Sequence, residues 1–520
     1  MSERGFERLN IQDFRECENI MRNRLALLLV LLAIVAVPYY SPPKAHAQTT
    51  FSFGVAGDYG YTSNNNAAQT LFTKMGQSGL DFAIALGDLS YGETSPQTWC
   101  GSFKGNVNNL EIMTGNHDSG ETSNPNPGDN LNFFDTPSTL VNPGRQRYCH
   151  FTLPGGSAIT GLEGMEYYFD YPAAGPLVRI ISISTGITFQ GPVLNNSQSN
   201  PTRLGASGCS QGPGCYDVWS GLRWSYLNDP NNVNQDLDHY NWVSSAIDGA
   251  RTANIPFVFL TMHKNCLTTG GGSSSHITCE SASDIMNLAI SKKVDLYVTG
   301  HEHNYERSKQ LAFNGSTCTA IQSGTYNSAC VVSATSPFVK GAGTIILTVG
   351  NGGEGMSSYG CNTGGNNQWS IPLYFLQCQS ASFGFVKFSV TGSSLSASFV
   401  ASSGSYSDSF SIADFTIASV TSISFHKNCI LQDTLTATAL NGFTSDITLS
   451  YTDPSGRVSL IFSPNPVNPQ GTFAESTMTY HGNPEGTYVI TVIGTSGVIV
   501  HSYLVTVTIT PPGVCPILPP

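Results

Sequence analysis

The sequence predicts an α/β layered domain followed by an all-β sandwich. Two patterns along the 520 residues predict this order. Between about residues 51 and 411, unbroken apolar runs alternate with segments of helical character, as expected for strands that are buried on both faces. After residue 416, short Thr- and Val-rich segments are separated by turn residues, and no helical periodicity is present. A chain of this length also exceeds what one small core requires, so two domains are expected.

The predicted strands of the first part share one feature, since many of them end in a glycine and a polar residue. They cover residues 51–60, 81–91, 110–118, 178–186, 256–265, 294–303 and 343–353. Helices are predicted between several of these strands, at residues 66–79, 239–251 and 281–293. The alternation of strands and helices is typical of an α/β layered fold, which we expect over residues 50–411.

The predicted strands of the last part are shorter and more regularly spaced. They cover residues 419–425, 433–440, 446–452, 458–463, 477–482, 486–497 and 501–509. This spacing favours an immunoglobulin-like β-sandwich over residues 416–512. The Cys…Trp…Cys pattern of antibody domains is absent from this part of the sequence, so the expected similarity is one of architecture alone.

The composition excludes some classes of protein. Only 11% of the residues are charged, but 40% are hydrophobic, which is enough to form a core and argues against disorder. The net charge of −12 and the lack of any Lys- or Arg-rich run argue against a nucleic-acid-binding surface. Oligomeric state cannot be read from the sequence.

The N-terminus has the pattern of an export signal. Arg22 and Arg24 precede an apolar run at 25–37, and the small residues Ala45 and Ala47 offer a cleavage site. The apolar run is shorter than the roughly 20 residues that a membrane-spanning helix needs. We therefore expect residues 1–47 to be a leader that is cleaved, with retention as an N-terminal anchor as the alternative. Either outcome predicts a secreted or cell-surface protein.

The cysteines agree with export. Thirteen are present, and twelve remain when Cys17 is removed with the leader. An even number of cysteines in an exported chain indicates disulfide bonds, although sequence alone does not fix their connectivity. The plausible bridges are Cys209/Cys215, Cys266/Cys279, Cys318/Cys330, Cys361/Cys378 and Cys429/Cys515.

Polar residues that suit metal coordination follow five of the predicted strands. They are Asp58, Asp88, Tyr91, Asn116, His117, His263, His301 and His303. Taken singly, such residues are more often turn formers, helix caps or packing residues. Their joint occurrence is informative, because functional sites in α/β sheets form where the carboxyl ends of strands meet loops. We therefore expect these side chains to gather at one edge of the fold.

The chemistry of this set fits a pair of metal ions. One carboxylate can bridge two cations, while Asp, Asn and His supply the remaining oxygen and nitrogen ligands. Glycines beside the ligands allow tight turns and close approach of the backbone. Two metal ions about 3.5–4 Å apart generate hydroxide at mild pH and stabilise the charge of a phosphoryl transition state.

The motifs "DYG", "GDLSY", "GNHD", "LTMH" and "GHEH" occur in this order. The series resembles the calcineurin-like metallophosphoesterases and, within them, the purple acid phosphatases, over roughly residues 50–400. The resemblance implies a layered αββα sandwich for this part of the chain. Two departures stand out: Leu260 replaces the usual valine, and Asn351 replaces a common aspartate in the late glycine-rich turn.

The resemblance also implies a ligand set. Asp58, Tyr91 and His303 would bind iron(III), and the phenolate of Tyr91 would give the colour of that family. A second, divalent metal (Fe, Zn or Mn) would be bound by the remaining ligands, with Asp88 bridging both ions; these ligands are Asn116, His263 and His301. The catalytic residues would be His117, near the bound phosphate, and His276, above the substrate.

The activity implied by the resemblance is that of an exported acid phosphatase. It would hydrolyse phosphate monoesters, on a small molecule or a phosphoprotein, by attack of metal-bound hydroxide. One alternative is a phosphodiesterase or nucleotidase with two divalent metals, and another is a catalytically silent surface binding protein. For the C-terminal domain, contact with a cell wall or a carbohydrate is an open alternative.

Overall fold

The structure is a computed structural model that describes residues 50–60, 66–107, 109–118, 153, 155–190, 220–223, 237–269, 279–357, 369–392, 394–497 and 499–515. The chain separates into two units, 1–47 and 48–520. The first unit contains the predicted leader and lies outside the described residues. Every element below belongs to the second unit.

Four α-helices are present in the described residues. They are α1 (Ala67–Gly76), α2 (Pro96–Lys104), α3 (Leu237–Thr252) and α4 (Cys279–Ser291), with short 3-10 helices at Ser328–Cys330 and Pro372–Tyr374. Three of the four were predicted from the sequence. The unpredicted helix, α2, is capped by Ser95, whose Oγ accepts a hydrogen bond from the backbone N–H of Thr98 at 3.2 Å, and it has proline at its first position. None of the four helices is long and apolar enough to cross a bilayer.

The strands up to residue 401 contain all seven that were predicted for the first part. They are β1 (Thr50–Ala56), β2 (Phe82–Ala85), β3 (Leu110–Ile112), β4 (Thr160–Leu162), β5 (Glu166–Tyr171), β6 (Val178–Ile183), β7 (Thr188–Gln190), β8 (Ser220–Arg223), β9 (Phe257–Met262), β10 (Leu296–Thr299), β11 (Tyr305–Leu311), β12 (Val331–Ser333), β13 (Phe338–Val339), β14 (Thr344–Val349), β15 (Phe375–Gln379), β16 (Gly384–Thr391) and β17 (Ser394–Ala401).

The strands after residue 401 likewise include the seven predicted for the last part. They are β18 (Ser409–Ala418), β19 (Ser422–His426), β20 (Leu431–Leu440), β21 (Thr448–Thr452), β22 (Val458–Ser463), β23 (Phe473–Gly482), β24 (Gly486–Ser496) and β25 (Ile499–Thr510).

Two mixed sheets carry the first part of the chain. In one sheet, the order β16-β1-β2-β3 places β1, β2 and β3 parallel, with β16 antiparallel to β1. In the other, β14, β10, β9 and β6 are parallel, with β11 and β5 antiparallel at either side. The buried apolar residues of both sheets form one continuous core. The expected α/β layering is thus present as mixed sheets with few helices.

Strand register decides where the loops emerge. Ala56 at the end of β1 is paired with Ala85 at the end of β2, so both chains leave the sheet at the same level. Met262 of β9 is likewise paired with Thr299 of β10. Because parallel strands end at one edge, the loops that follow them lie side by side.

The C-terminal region is entirely β in its described residues. β18, β20, β23 and β22 continue the first sheet, while β19, β25, β24 and β21 form a separate four-stranded sheet. A second apolar core, distinct from the first, lies among these strands. β18 pairs with β17 through its first half and with β20 through its second half, so the predicted boundary at 411–416 falls within one strand.

Two predicted disulfides are confirmed, Cys318–Cys330 and Cys429–Cys515. Of the other three predicted pairs, Cys209/Cys215 lies outside the described residues, as do Cys361 and the side chain of Cys279. Disulfides of this kind are typical of proteins that fold in oxidising compartments.

Candidate metal centre

The predicted ligands meet at the carboxyl edge of the two sheets. Asp58, Asp88 and Asn116 follow strands β1, β2 and β3, whereas His263 and His301 follow β9 and β10. All five are almost completely buried, with exposed fractions of 6% or less. The site therefore has a buried floor to which both sheets contribute.

One group of side chains corresponds to the predicted first metal position. The Tyr91 hydroxyl lies 3.0 Å from Oδ1 of Asp58 and 2.8 Å from Nε2 of His303. Oδ1 of Asp58 lies 3.6 Å from the same nitrogen of His303. Three potential donor atoms of different chemical type thus converge, and each faces the other two.

A second group corresponds to the predicted second metal position. Nε2 of His263 lies 3.0 Å from Oδ1 of Asn116, 3.2 Å from Nδ1 of His301 and 3.3 Å from Oδ1 of Asp88. The ligand atoms of Asp88, His263 and His301 all lie within 4.8 Å of one another, which is compatible with one shared ion. His301 faces the group through Nδ1, and His263 through Nε2.

The backbone around these residues is unusual. Asp58, Asp88, Tyr91 and His301 have φ values of 60°, 51°, 51° and 70°, in the left-handed region that few non-glycine residues adopt. Such conformations cost on the order of 1–3 kcal/mol each and cluster at functional sites. Four of them among the seven predicted ligands indicate that the loops are shaped to aim side chains inward.

Two glycines allow the loops to approach each other. A Cβ at Gly115 would lie 2.0 Å from Oδ1 of Asp88, and a Cβ at Gly300 would lie 2.8 Å from Oδ2 of Asp58. Both distances are far below normal contact, so the carboxylates take the space that a side chain would need. The glycines of the "GNHD" and "GHEH" motifs are therefore steric requirements of the site.

Backbone carbonyls orient two of the imidazoles. Nδ1 of His263 lies 2.8 Å from the carbonyl oxygen of Leu86, and Nδ1 of His303 lies 2.7 Å from that of Gly355. In each case Nδ1 donates, which leaves Nε2 as a lone-pair donor toward the centre. Oδ2 of Asp58 accepts a hydrogen bond from the backbone N–H of His301 at 2.7 Å, so Oδ1 points to the centre.

Asp118 holds the loop that carries Asp88. Its two oxygens accept hydrogen bonds from the backbone N–H groups of Asp88 at 2.7 Å, Gly115 at 2.9 Å and Leu89 at 3.0 Å. These contacts give Asp118 a supporting role in the loop. Burial and the charge of Asp88 raise the pKa of Asp118 to about 7.

Residues beyond the motifs support the histidine loop from below. Asp408 accepts hydrogen bonds from Nε and Nη2 of Arg307 at 2.7 and 2.9 Å, and from the Tyr305 hydroxyl at 2.6 Å. Tyr305 and Arg307 directly follow the histidine motif in the sequence, whereas Asp408 was not predicted. It lies about a hundred positions away in a Ser-rich stretch, and no local signal marks it.

A second missed support is Glu306, which is fully buried. Its Oε1 accepts hydrogen bonds from Thr268 Oγ1 at 2.8 Å, from Thr269 Oγ1 at 2.9 Å and from Asn304 Nδ2 at 2.9 Å. These bonds connect the segment after His263 with the segment after His303. The two loops from the second sheet are thereby tied together.

His117 lies at the rim of the site. Its backbone N–H donates to Oδ1 of Asp88 at 2.9 Å, and its ring centroid lies 4.2 Å from that of Tyr91. The side chain keeps 29% of its surface exposed, and that of His303 keeps 23%. The open side of the site is therefore lined by imidazoles. His276, the other predicted catalytic residue, lies outside the described residues.

The electrostatics of the site favour bound cations. Burial raises the pKa of Asp58 well above its usual value, and repulsion from Asp88 adds to this effect. Burial also acts on Asp88, but His263 and His117 outweigh it and hold the pKa of Asp88 well below its usual range. The pKa of His263 rises to about 9: burial lowers it, and Asp88 and Asp58 more than compensate.

Tyr91 experiences the same negative environment. Burial raises the pKa of its phenol well above 10, and the carboxylates of Asp58, Asp88 and Glu354 raise it further. A phenolate forms in such surroundings only beside a strongly charged cation. The donor set as a whole fits two metal ions, since it combines two carboxylates, an amide, a phenol and three imidazoles in contact.

The departure at residue 351 leaves this donor set intact. Asn351 is fully buried, and its Nδ2 donates to the carbonyl of Ser382 at 2.8 Å. The backbone carbonyl of Asn351 accepts a hydrogen bond from the backbone N–H of Gly384 at 3.1 Å. The asparagine therefore anchors the late glycine-rich turn to the start of β16.

Comparison with known proteins identifies the first part of the chain. Residues 51–305 match the family model described as calcineurin-like phosphoesterase. No curated protein matches the chain. Among solved structures, a point mutant of the SrpA adhesin from Streptococcus sanguinis matches with 10% identity and a TM-score of 0.16, over 19% of this chain and 59% of the adhesin chain.

Another matching structure is murine CRIg, with 8% identity and a TM-score of 0.13, over 19% of this chain and 98% of that chain. With TM-scores this low, neither likeness indicates fold or function. The family match contains all seven predicted metal ligands, from Asp58 to His303. By this match, residues 51–305 form a calcineurin-like phosphoesterase domain, the type of domain that hydrolyses phosphoesters with a binuclear metal centre.

Proposed function

We propose that the protein is an exported acid phosphatase of the purple acid phosphatase type, acting on phosphate monoesters. One observation carries the proposal. The Tyr91 hydroxyl lies within 3.0 Å of both Oδ1 of Asp58 and Nε2 of His303. A phenol placed among a carboxylate and an imidazole is the ligand that favours iron(III) over divalent ions, because a hard anionic oxygen stabilises the higher charge.

The buried residues of the site and the exposed residues at its rim have different roles. Asp58, Asp88, Asn116, His263 and His301 form the buried floor and would hold the two metals together with Tyr91 and His303. When bound, the metals supply the activated water and neutralise negative charge on the phosphoryl group.

The phosphoryl group enters from the exposed rim. His117 faces this opening, and its imidazole donates a hydrogen bond or a proton to the departing alcohol oxygen. Oδ2 of Asp88 lies 3.9 Å from Nε2 of His117, so the imidazole stands beside the carboxylate that is shared with the floor of the site. The proposed substrates are phosphorylated small molecules and phosphoproteins. The proposed divalent metal beside iron(III) is Fe, Zn or Mn.

The visible absorption spectrum of the purified protein, with its iron content, tests the proposal. We expect a phenolate-to-iron(III) charge-transfer band that disappears in Tyr91→Phe while the iron content is retained. Tyr59→Phe is the matched control, because Tyr59 is buried beside Asp58 but donates its hydrogen bond to the carbonyl of Ala56 at 2.9 Å. This variant should keep the band. A colourless, fully metallated and active wild-type protein would contradict the proposal.

The same preparation distinguishes the alternatives. A colourless protein that hydrolyses diesters or nucleotides with two divalent metals would be a generic member of the domain family. A fully metallated protein without turnover on any phosphoester would be a binding protein. Export is tested separately by N-terminal sequencing of the protein recovered outside the cell, which should begin near Gln48.

A further inference from the structure

The C-terminal β region contains an open cavity of about 750 Å³. It lies where β22 begins and β23 ends, beside the turn that follows β19. Its lining includes Asn428, Tyr451, Arg457, Ser459, His481 and Asn483. A cavity of this size is within the usual range for small-molecule sites. None of its residues belongs to the metal centre or to residues 51–305.

The walls of the cavity are fixed by several independent constraints. The Cys429–Cys515 disulfide lies at one side, and Cys429 itself is buried. Ser459 is the cross-strand neighbour of His481, and the carbonyl of Arg457 accepts a hydrogen bond from the N–H of Asn483 at 3.1 Å. A site held in this way requires little ordering when it binds a ligand, which favours affinity.

Positive charge is concentrated here. After residue 416, the only lysine and arginine in the sequence are Lys427 and Arg457, set against five acidic residues. Arg457 lines the cavity, and Lys427 immediately precedes the lining residue Asn428. Among the described residues, Arg457 forms no ion pair, and the imidazole of His481 makes no hydrogen bond. The two side chains are therefore available to an anionic ligand.

One carboxylate, Asp453, also lines the cavity, but it is engaged in its own turn. Its Oδ1 accepts from the N–H and Oγ of Ser455 at 2.9 and 2.6 Å. Its Oδ2 accepts from the N–H groups of Arg457 at 2.6 Å and Val458 at 2.7 Å. Burial alone would raise the pKa of Asp453, but these hydrogen bonds outweigh it and lower the pKa. Asp453 thus shapes the loop that carries Arg457.

The other lining groups suit a ligand rich in hydroxyls. Tyr451 is half-buried and contributes an aromatic ring to the lining, while the side chains of Asn428, Asn483 and Ser459 can each donate and accept hydrogen bonds. An aromatic ring with surrounding amides and hydroxyls matches a sugar ring. A guanidinium beside them matches a carboxylate, which it binds through two parallel hydrogen bonds.

We propose that this cavity is a binding site for an acidic saccharide, a hexuronate unit of a polysaccharide. Arg457 binds the carboxylate, with His481 beside it, and Tyr451 packs against the sugar ring. The site holds the protein on an anionic polymer, and it is independent of the phosphatase activity proposed above.

The test is calorimetric titration of the whole protein with trigalacturonate at low ionic strength. We expect saturable binding that weakens at least tenfold in Arg457→Ala. It should weaken less in Arg457→Lys, which keeps the positive charge but lacks the two parallel N–H donors of the guanidinium. Lys74→Ala is the matched control, since Lys74 is an exposed cation at the end of α1. This control should bind as the wild type does, and monoester hydrolysis should be unchanged in all three variants.

Three further probes define what the cavity recognises. The methyl-esterified trisaccharide should bind at least tenfold more weakly, because it lacks the carboxylates. Inorganic phosphate and pentaglutamate should not compete at the concentrations at which trigalacturonate saturates. The proposal is wrong if trigalacturonate does not bind, if Arg457→Ala binds it equally well, or if phosphate or the acidic peptide is the better ligand at this site.

Discussion

The phenol oxygen of Tyr91 lies 2.8 Å from Nε2 of His303, although the two residues are 212 positions apart in the chain. Tyr91 comes from the loop after β2 in one sheet, and His303 comes from the loop between β10 and β11 in the other. Their contact is thus a direct link between the two sheets at the site. The backbone conformation of Tyr91, with φ of 51°, and the hydrogen bond from His303 to the carbonyl of Gly355 orient both side chains.

The close approach at Gly115 predicts a large effect of one methyl group. In Gly115→Ala, the new Cβ would lie 2.0 Å from Oδ1 and 2.3 Å from the backbone nitrogen of Asp88. The backbone cannot yield cheaply there, so Asp88 must move. We expect metal content to fall below one ion per chain and activity to drop at least a hundredfold, measured by metal analysis and phosphomonoester turnover.

The control for this variant is Gly101→Ala. Gly101 lies within α2, and a Cβ there would meet nothing within 4 Å. We expect full activity and a free energy of unfolding raised by about 0.5–1 kcal/mol, as for glycine replaced by alanine in a helix. Equal metal content in the two variants would mean that the loop at Gly115 tolerates displacement.

Asp408 is predicted to be a positioning residue for the histidine loop. Its carboxylate and the Arg307 guanidinium are both about 95% buried. Asp408→Asn would leave the arginine without a charged partner, and such changes cost about 3–5 kcal/mol. We expect the free energy of unfolding, measured in urea, to fall by this amount. We also expect kcat to change by a larger factor than KM, because the loop that carries His301 and His303 loses its support. Asp248→Asn, at an exposed pair with Lys292, should change neither quantity.

The pair His501–Asp414 predicts a pH-dependent stability. Oδ1 of the fully buried Asp414 accepts from Nε2 of His501 at 2.7 Å, and Oδ2 from Nζ of Lys340 at 3.0 Å. Burial alone would raise the pKa of Asp414, but these two partners outweigh it and lower the pKa. The stabilisation is therefore complete above the pKa of an unfolded aspartate, about 3.9, and is lost as the pH falls through the lower folded pKa.

Removing the histidine tests this linkage. We expect His501→Ala to lower the free energy of unfolding by about 1–3 kcal/mol near neutral pH, since a buried charge loses a hydrogen bond. The difference from the wild type should shrink as the pH falls below about 4, because Asp414 then becomes protonated in both proteins. A difference that stays constant across the acid range would show that ionised Asp414 is not what His501 stabilises.

The sequence was most informative where strands and ligands occur together. The motif residues Asp58, Asp88 and His263 follow long buried runs, and a buried strand followed by glycine and a polar residue leaves few alternative structures. The strands that carry them were therefore predicted correctly. Their convergence could also be expected, because parallel strands end at one edge.

Other features had no local signal. β17 is a Ser-rich strand in which burial alternates, so neither its hydrophobicity nor a terminal glycine marked it. Its partner β16 pairs with β1 across the length of the domain, from Thr391 to Thr50, and such pairing is set by tertiary packing. Asp408 lies directly before β18, which pairs with β17, so its position is also set by tertiary packing. The predicted boundary at 411–416 was placed by a change in composition, and this interval falls within β18, which pairs with β17 and with β20.

Removal of the metals is predicted to reverse the effect of one substitution on stability. Asp58 is fully buried, and burial together with the charge of Asp88 makes its ionised form unfavourable when no cation is bound. In Asp58→Asn, the amide oxygen can still accept from the N–H of His301. Its NH₂ group can donate to His303 Nε2 or to the Tyr91 oxygen, which lie near Oδ1 in the wild type. The free energy of unfolding of the metal-free variant should thus exceed that of the metal-free wild type by about 1–2 kcal/mol.

With metals bound, the order should be the opposite. The wild-type carboxylate then contributes to metal affinity, and a metal that binds only the folded state adds its binding free energy to stability. Thermal unfolding before and after reductive chelation, with metal added back as a reversibility check, measures both states. The exposed substitution Asp248→Asn should shift neither. If Asp58→Asn were the less stable protein in both states, the prediction would be wrong. Asp58 would then stabilise the fold through its hydrogen bonds, and the two buried carboxylates would not destabilise the metal-free protein.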